Sequence, residues 1–183
     1  VRPRHAILTA IVSVAASATF VTAQTNGTPE SFKALGINVS DSQGVIGRPF
    51  NLTIFVDRWA TPSEFALFLS TLKGGGTEGV LKMLRGREQI GVLRTTQPLG
   101  FPLSLAVETP QPDGGRRIVI ISPRRIYERD PNNPSVDYPL MVIDMRLPVH
   151  DAGEGAIAQL ARLSMGSDGD RFIVENFDGA KML

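Results

Sequence analysis

Apolar and polar residues alternate with a period of two along most of this chain, and that pattern commits it to sheet. Phe50, Leu52, Ile54 and Val56 alternate with Asn51, Thr53 and, less cleanly, Phe55. Leu35, Ile37 and Val39 alternate with Gly36 and Asn38; Leu103, Leu105 and Val107 alternate with Ser104, Ala106 and Glu108. Met141, Ile143, Met145 and Leu147 alternate with Val142, Asp144 and Arg146. Successive side chains of a strand point to opposite faces, so each run offers one face to a core. Ile118 to Ile121 is apolar on both faces and reads as a central strand, and Phe172 to Phe177 as a last short one. Pro112-Asp113-Gly114-Gly115 and Gly166-Ser167-Asp168-Gly169-Asp170 lie between such runs and can take the positive φ angles of tight hairpins. Hairpins join antiparallel neighbours, so a meander or sandwich of antiparallel strands is expected.

One segment fits both periods. Ile157, Leu160, Ala161 and Ser164 make a helical stripe, whereas Ile157, Ala161, Leu163 and Met165 make a strand face broken by Gln159. The flanking Gly153, Gly155 and the Gly-Asp-rich turn favour a strand of a hairpin.

Only one stretch is plainly helical. Thr61-Pro62-Ser63-Glu64 combines a hydroxyl cap, a proline in the first turn and a glutamate placed to reach back to the cap. Phe65, Phe68, Leu69 and Leu72 continue as one apolar stripe. Gly74-Gly75-Gly76 reads as its end, and Thr77-Glu78 as the start of a second short helix with Val80, Leu81 and Leu84 facing inward. The expected fold is α+β, mainly antiparallel sheet with a two-helix insert after the second strand.

The N-terminus has a different character. Arg2 and Arg4 precede an uncharged run of 16 residues, Ala6 to Val21, and Val21-Thr22-Ala23 places small residues at −3 and −1 of a cut before Gln24. That is the layout of a cleaved secretion signal. The run is shorter and less apolar than the roughly 20 residues of a spanning helix. Residues 1–23 are therefore expected to be a signal peptide, 24–31 a flexible polar lead-in, and 32–183 a single β-rich domain. A secreted or periplasmic product, not spanning the membrane, follows from that reading. The chain contains no cysteine, so an exported domain of this kind holds itself together by its core alone. Its formal net charge is +1, and loss of Arg2 and Arg4 would bring it to about −1, which gives no electrostatic case for a nucleic-acid partner.

Several chemistries lack their residues. Cysteine nucleophiles are excluded outright. His150 is the only histidine after the signal, stands beside Asp151 in a turn-like Pro148-to-Gly153 stretch, and has no Gly-x-Ser-x-Gly elbow to serve. One histidine without cysteine does not make an ordinary zinc site. Asp168-Gly169-Asp170 offers calcium two carboxylates, and a hairpin turn explains the same residues. No cofactor or metal is expected. Asp57, Asp144, Glu154 and Glu175 lie on or beside strands, where a pair facing one cleft would allow cofactor-free hydrolysis. Pairing with Arg58, Arg117 and Arg146 is the structural use of the same acids. Gly74 to Gly76 before a helix start lacks the lysine and the feeding strand of a phosphate loop.

The candidate binding residues are Arg124, Arg125, Tyr127 and Arg129, within a long loop that runs on through Pro131-Asn132-Asn133-Pro134. Arginine beside an aromatic is a composition suited to gripping carboxylates, sugars or a partner protein. Arg58 and Trp59 form a second candidate pair, where a tryptophan ending a strand also suits a core lid.

Separated blocks of the chain resemble an uncharacterised group of small secreted bacterial proteins. They are Asp57-Arg58-Trp59-Ala60-Thr61, Gly91-Val92-Leu93-Arg94-Thr95, Asp113-Gly114-Gly115-Arg116-Arg117-Ile118-Val119, Asp137-Tyr138-Pro139, Ile143-Asp144-Met145-Arg146-Leu147, Gly153-Glu154-Gly155 and Val174-Glu175-Asn176-Phe177. The resemblance runs from about Asn51 onward. It implies a secreted β-rich domain, supports the strand reading after Gly155, and carries with it no activity, ligand or catalytic residue. The function expected is non-enzymatic binding of a small molecule or an envelope partner, or a structural accessory role. Hydrolysis by strand carboxylates is the alternative.

Overall fold

In a computed structural model, residues 28–38, 47–95, 100–123, 139–166 and 172–182 are described. The elements in chain order are β1 (Glu30–Asn38), β2 (Pro49–Val56), α1 (Pro62–Arg85), β3 (Gly91–Arg94), β4 (Phe101–Leu103), β5 (Leu105–Pro110), β6 (Arg116–Pro123), β7 (Leu140–Leu147), β8 (Glu154–Met165) and β9 (Phe172–Met182). The class is α+β, and every strand pair is antiparallel.

Hydrogen bonding runs in the order β4-β3-β2-β1-β9-β8-β7-β6-β5. Only three residue pairs, Gly36–Met182 to Asn38–Ala180, join β1 to β9. At that narrow junction the array divides into two antiparallel sheets, one of them a curled half-barrel. The front sheet is β4-β3-β2-β1, and the back sheet is β9-β8-β7-β6-β5. Register shifts in β7–β8 and β8–β9 mark bulges that bend the back sheet.

Two cores follow from the alternation. Leu52, Ile54, Val56 and Leu93 of the front sheet meet Ile118, Ile120, Ile143, Met145 and Ile157 of the back sheet. On the other face of the back sheet, Val119, Ile121, Val142, Ala158 and Leu163 meet Phe68, Leu72, Val80, Leu81 and Leu84 of α1. The back sheet is thus apolar on both faces, which is what the unbroken Ile118–Ile121 run requires. Helix, back sheet and front sheet form three layers.

The helical insert is one helix rather than two. Thr61 caps it as the sequence dictates: its Oγ1 accepts from Glu64 N at 3.2 Å, and the Glu64 carboxylate accepts from Thr61 N at 2.8 Å. Gly76, at φ 56° and ψ −156°, kinks the helix without ending it. The residue after the kink explains its position. β8 outruns β7, whose pairing stops at Leu140–Ala161, and among the described residues Leu163 beyond it has no ladder partner on that side. The Thr77 hydroxyl donates to Leu163 O at 2.8 Å and accepts from Leu163 N at 2.9 Å. Thr61→Ala is expected to cost about 0.5–2 kcal/mol, because the first turn loses an acceptor for an orphan N–H. Chemical denaturation measures it, and an unchanged midpoint would contradict the cap.

β1 faces the opposite way from the expectation drawn from Leu35 and Ile37. Phe32 and Ala34 pack on the inner core, and Leu35 is 41% exposed on the outer face. Gly36 decides the register: a Cβ there would lie 2.4 Å from Phe50 Cζ, so the Phe50 ring occupies the space that only glycine leaves. A one-residue slip would expel Phe32 and Ala34 together. β1 also begins at Glu30, inside the stretch expected as a lead-in.

Leu103, Leu105 and Val107 do not share one face either. Ser104 separates β4 from β5, so Leu103 joins the inner core while Leu105 and Val107 join the helix side. This single residue carries the chain from one edge of the array to the other. Ser122, 1% exposed, is the buried polar side chain among the described residues, and its Oγ accepts from Ser104 N at 3.1 Å. The outer edge of β5 is met by Ala60, whose N–H donates to Ala106 O at 2.8 Å. The expected Pro112–Gly115 hairpin is present, with Gly114 at φ 81°.

Candidate functional site

Arg124, Arg125, Tyr127 and Arg129 lie outside the described residues, as does Asp168-Gly169-Asp170. Arg58 and Trp59 are placed, and both have partners within the fold. Trp59 is 5% exposed, with its ring in the inner core and its Nε1 donating to Thr28 O at 3.3 Å. It is a lid on the core. Arg58 forks onto Glu64, Nη1 to Oε2 at 2.8 Å and Nη2 to Oε1 at 3.1 Å.

Glu64 is a junction of four donors. Besides Arg58 and Thr61 N, it accepts from Arg87, beyond the far end of α1. The Arg58 hydrogen bonds, with help from Thr61 N and the charge of Arg87, hold its carboxyl well below the usual range, at about 2. The arrangement ties the end of β2, the first turn of α1 and the segment after α1 to one point.

The other charges are spent in the same way. Arg116 projects from β6 at the rim between the sheets, forks onto Glu30 of β1 at 2.9 and 2.6 Å, reaches Glu108 at 3.2 Å, and lies 5.7 Å from the Phe32 ring centroid. Those contacts clamp the front sheet to the back, and the Glu30 hydrogen bonds raise its pKa. Arg117 forks onto Asp144 at 2.9 and 2.6 Å. Arg146 bonds Asp113 at 2.6 Å, and Arg162 pairs with Glu175 at 2.9 Å. Two of the four strand acids singled out for hydrolysis are among these pairs. Asp144 and Glu175 are neutralised by neighbouring arginines, and Asp57 and Glu154 are exposed. The carboxyl shifts that stand out, those of Glu64 and Asp113, are both downward, the latter through its Arg146 hydrogen bond, and a general acid needs the reverse. His150 is exposed in the β7–β8 connection. Gly74 to Gly76 lie within α1, which removes the phosphate-loop geometry. Among the described residues no three His, Cys, Asp or Glu side chains gather as metal ligands.

What the sequence did not single out is the outer face of the front sheet. Three rows cross it. Ser31, Phe55, Val92 and Pro102 are in register, as are Lys33, Thr53 and Arg94, and then Leu35 and Asn51. Arg94 stacks 5.4 Å from the Phe55 centroid. A shallow depression of about 290 Å³ lies among Lys33, Leu35, Asn51 and Thr53. Lys33 and Arg94 are 61 positions apart in sequence, and only the strand register brings them into one row. No helix of the described residues is long and apolar enough to cross a membrane. No family model, curated protein or solved structure matches the chain.

Proposed function

We propose that the chain is an exported, non-enzymatic binding or accessory domain that works in the periplasm or outside the cell. The observation that carries this reading is the use made of its charges. Asp144, Glu175, Glu64 and Asp113 are each matched to an arginine of a neighbouring segment, which is framework chemistry, while no described element covers the outer face of the front sheet, where Leu35 is exposed. Hydrolysis by strand carboxylates would need one of those acids released from its arginine and its pKa raised. Export rests on the N-terminal pattern of Arg2, Arg4 and the small residues before Gln24.

Two measurements test the reading. Mass spectrometry of the secreted product is expected to find an N-terminus within a few residues of Gln24. A thermal-shift screen against metabolites and glycans is expected to find a ligand that raises the midpoint, since a ligand at 100 times its Kd stabilises by about 2.7 kcal/mol. Turnover of a glycoside or ester panel that Asp144→Asn abolishes in a folded protein would replace binding by catalysis.

A further inference from the structure

The back sheet is covered by α1, and among the described residues no element covers the front sheet. Its outer face nevertheless carries the side chains that a sheet normally covers. Leu35 is 41% exposed, and Ile37, Phe55, Val92 and Pro102 are half-buried. It is also one-sided in charge. Arg116, Arg117, Arg146 and Arg162 of the back sheet each hold a carboxylate, whereas among the described residues Lys33 and Arg94 hold none, and no described acid stands in the rows they occupy. The Arg94 guanidinium carbon lies 5.4 Å from the Phe55 ring centroid, a cation–π contact that leaves the side chain exposed.

Charge and size choose among occupants. A second copy packed about a two-fold axis would set Lys33 and Arg94 against themselves with no acid to relieve them. A membrane surface would gain only about fivefold in affinity from each of two cations. Four strands about 4.8 Å apart, a few residues of each contributing at about 3.3 Å, give a face of roughly 400 Å². That is about half of what each partner of a standard interface buries, roughly 800 Å². It suits one element of a partner rather than a domain face.

We propose that this face docks an acidic amphipathic helix of a partner protein, laid across the front sheet as α1 lies across the back sheet. Carboxylates of the partner meet Lys33 and Arg94, and its apolar side chains cover Leu35, Ile37, Phe55 and Val92. The inference rests on the binding-domain reading and names its surface.

The probe is a synthetic 18-residue helix with leucines on one face flanked by glutamates, beside the same peptide with lysines for glutamates. Amide shifts of the ¹⁵N-labelled chain report where each binds. The glutamate peptide is expected to shift residues of β1, β2 and β3 and to bind at least tenfold tighter than the lysine peptide, with affinity falling as salt rises. The double variant Lys33→Glu, Arg94→Glu is expected to reverse that preference. Lys33→Gln, Arg94→Gln, which adds no new charge, is expected to abolish it and serves if the reversal does not fold. Shifts elsewhere, equal affinity for the two peptides, or preference unchanged in the variants overturns the proposal. So does loss of binding to phosphatidylglycerol vesicles in the variants when neither peptide binds, which would make the face a lipid surface. A thermal-shift ligand that leaves this face untouched, with no peptide binding, overturns the docking surface and leaves the binding-domain reading standing.

Discussion

Phe68→Ala is expected to lower the stability of the fold by about 3–5 kcal/mol, the range for removing a fully buried aromatic side chain. Phe68 is 0% exposed and stands where α1 meets the back sheet. Its ring meets Phe172 of β9 edge to face, 5.4 Å between centroids at 86°, and lies nearly parallel to Phe65 at 6.1 Å. Truncation therefore loses transfer energy, leaves a cavity between helix and sheet, and removes an aromatic pair worth about 0.5–1.5 kcal/mol in its own right. Leu67, the adjacent residue, is 54% exposed, and Leu67→Ala is expected to stay within about 0.5 kcal/mol. Urea denaturation of both variants reads the contrast. Equal losses, or a Phe68→Ala loss below about 1 kcal/mol, would mean that the helix does not pack on the sheet through this face.

The same helix shows where local pattern suffices and where it does not. Its start was legible because Thr61, Pro62 and Glu64 act within one turn, and the capping box is chemistry between near neighbours. Its course through Gly74-Gly75-Gly76 was not. Three glycines carry a stop signal of roughly 1 kcal/mol each against alanine, and burial of Val80, Leu81 and Leu84 with the Thr77–Leu163 bonds outweighs it. Those contacts span 86 residues, beyond the reach of any window. β1 fails for another reason: a period of two fixes that faces alternate but not which face is inside. Gly36 carried the answer, since it admits Phe50, yet a glycine in a strand pattern reads as a weakness until its cross-strand neighbour is known. Strand existence, the hairpin at Pro112–Gly115 and the strand at Glu154–Met165 needed only short-range signals, and they are present. The front-sheet row of Lys33, Thr53 and Arg94 required the register of three strands.

Glu64→Gln is expected to cost about 1–2 kcal/mol at neutral pH and little near pH 2, which makes it a test of charge rather than of shape. The sign follows from the direction of the shift. Arg58, aided by Thr61 N and Arg87, lowers the Glu64 carboxyl from 4.5 to about 2. A carboxyl that ionises more readily folded than unfolded stabilises the fold above its unfolded pKa, and that stability is lost as pH falls through its folded pKa. The window is therefore from about pH 5 down to about pH 2. Full conversion of that lowering would give about 3.4 kcal/mol, and the half-exposed Arg58 with the partly exposed Glu64 reduces it by solvent screening. Glutamine keeps an oxygen to accept from Thr61 N, so the helix cap survives and only the charge is removed. Arg58 and Arg87 then face a neutral group, and their salt-dependent contribution disappears with it. Denaturation free energies of both proteins between pH 2 and pH 7, at low salt, give the difference directly. The two curves should converge as pH falls through the window, and the gap at pH 7 should narrow in 1 M salt. Parallel curves across pH 2 to 6 would show that Glu64 titrates as an ordinary surface acid and that its arginines do not fix the junction of β2 and α1.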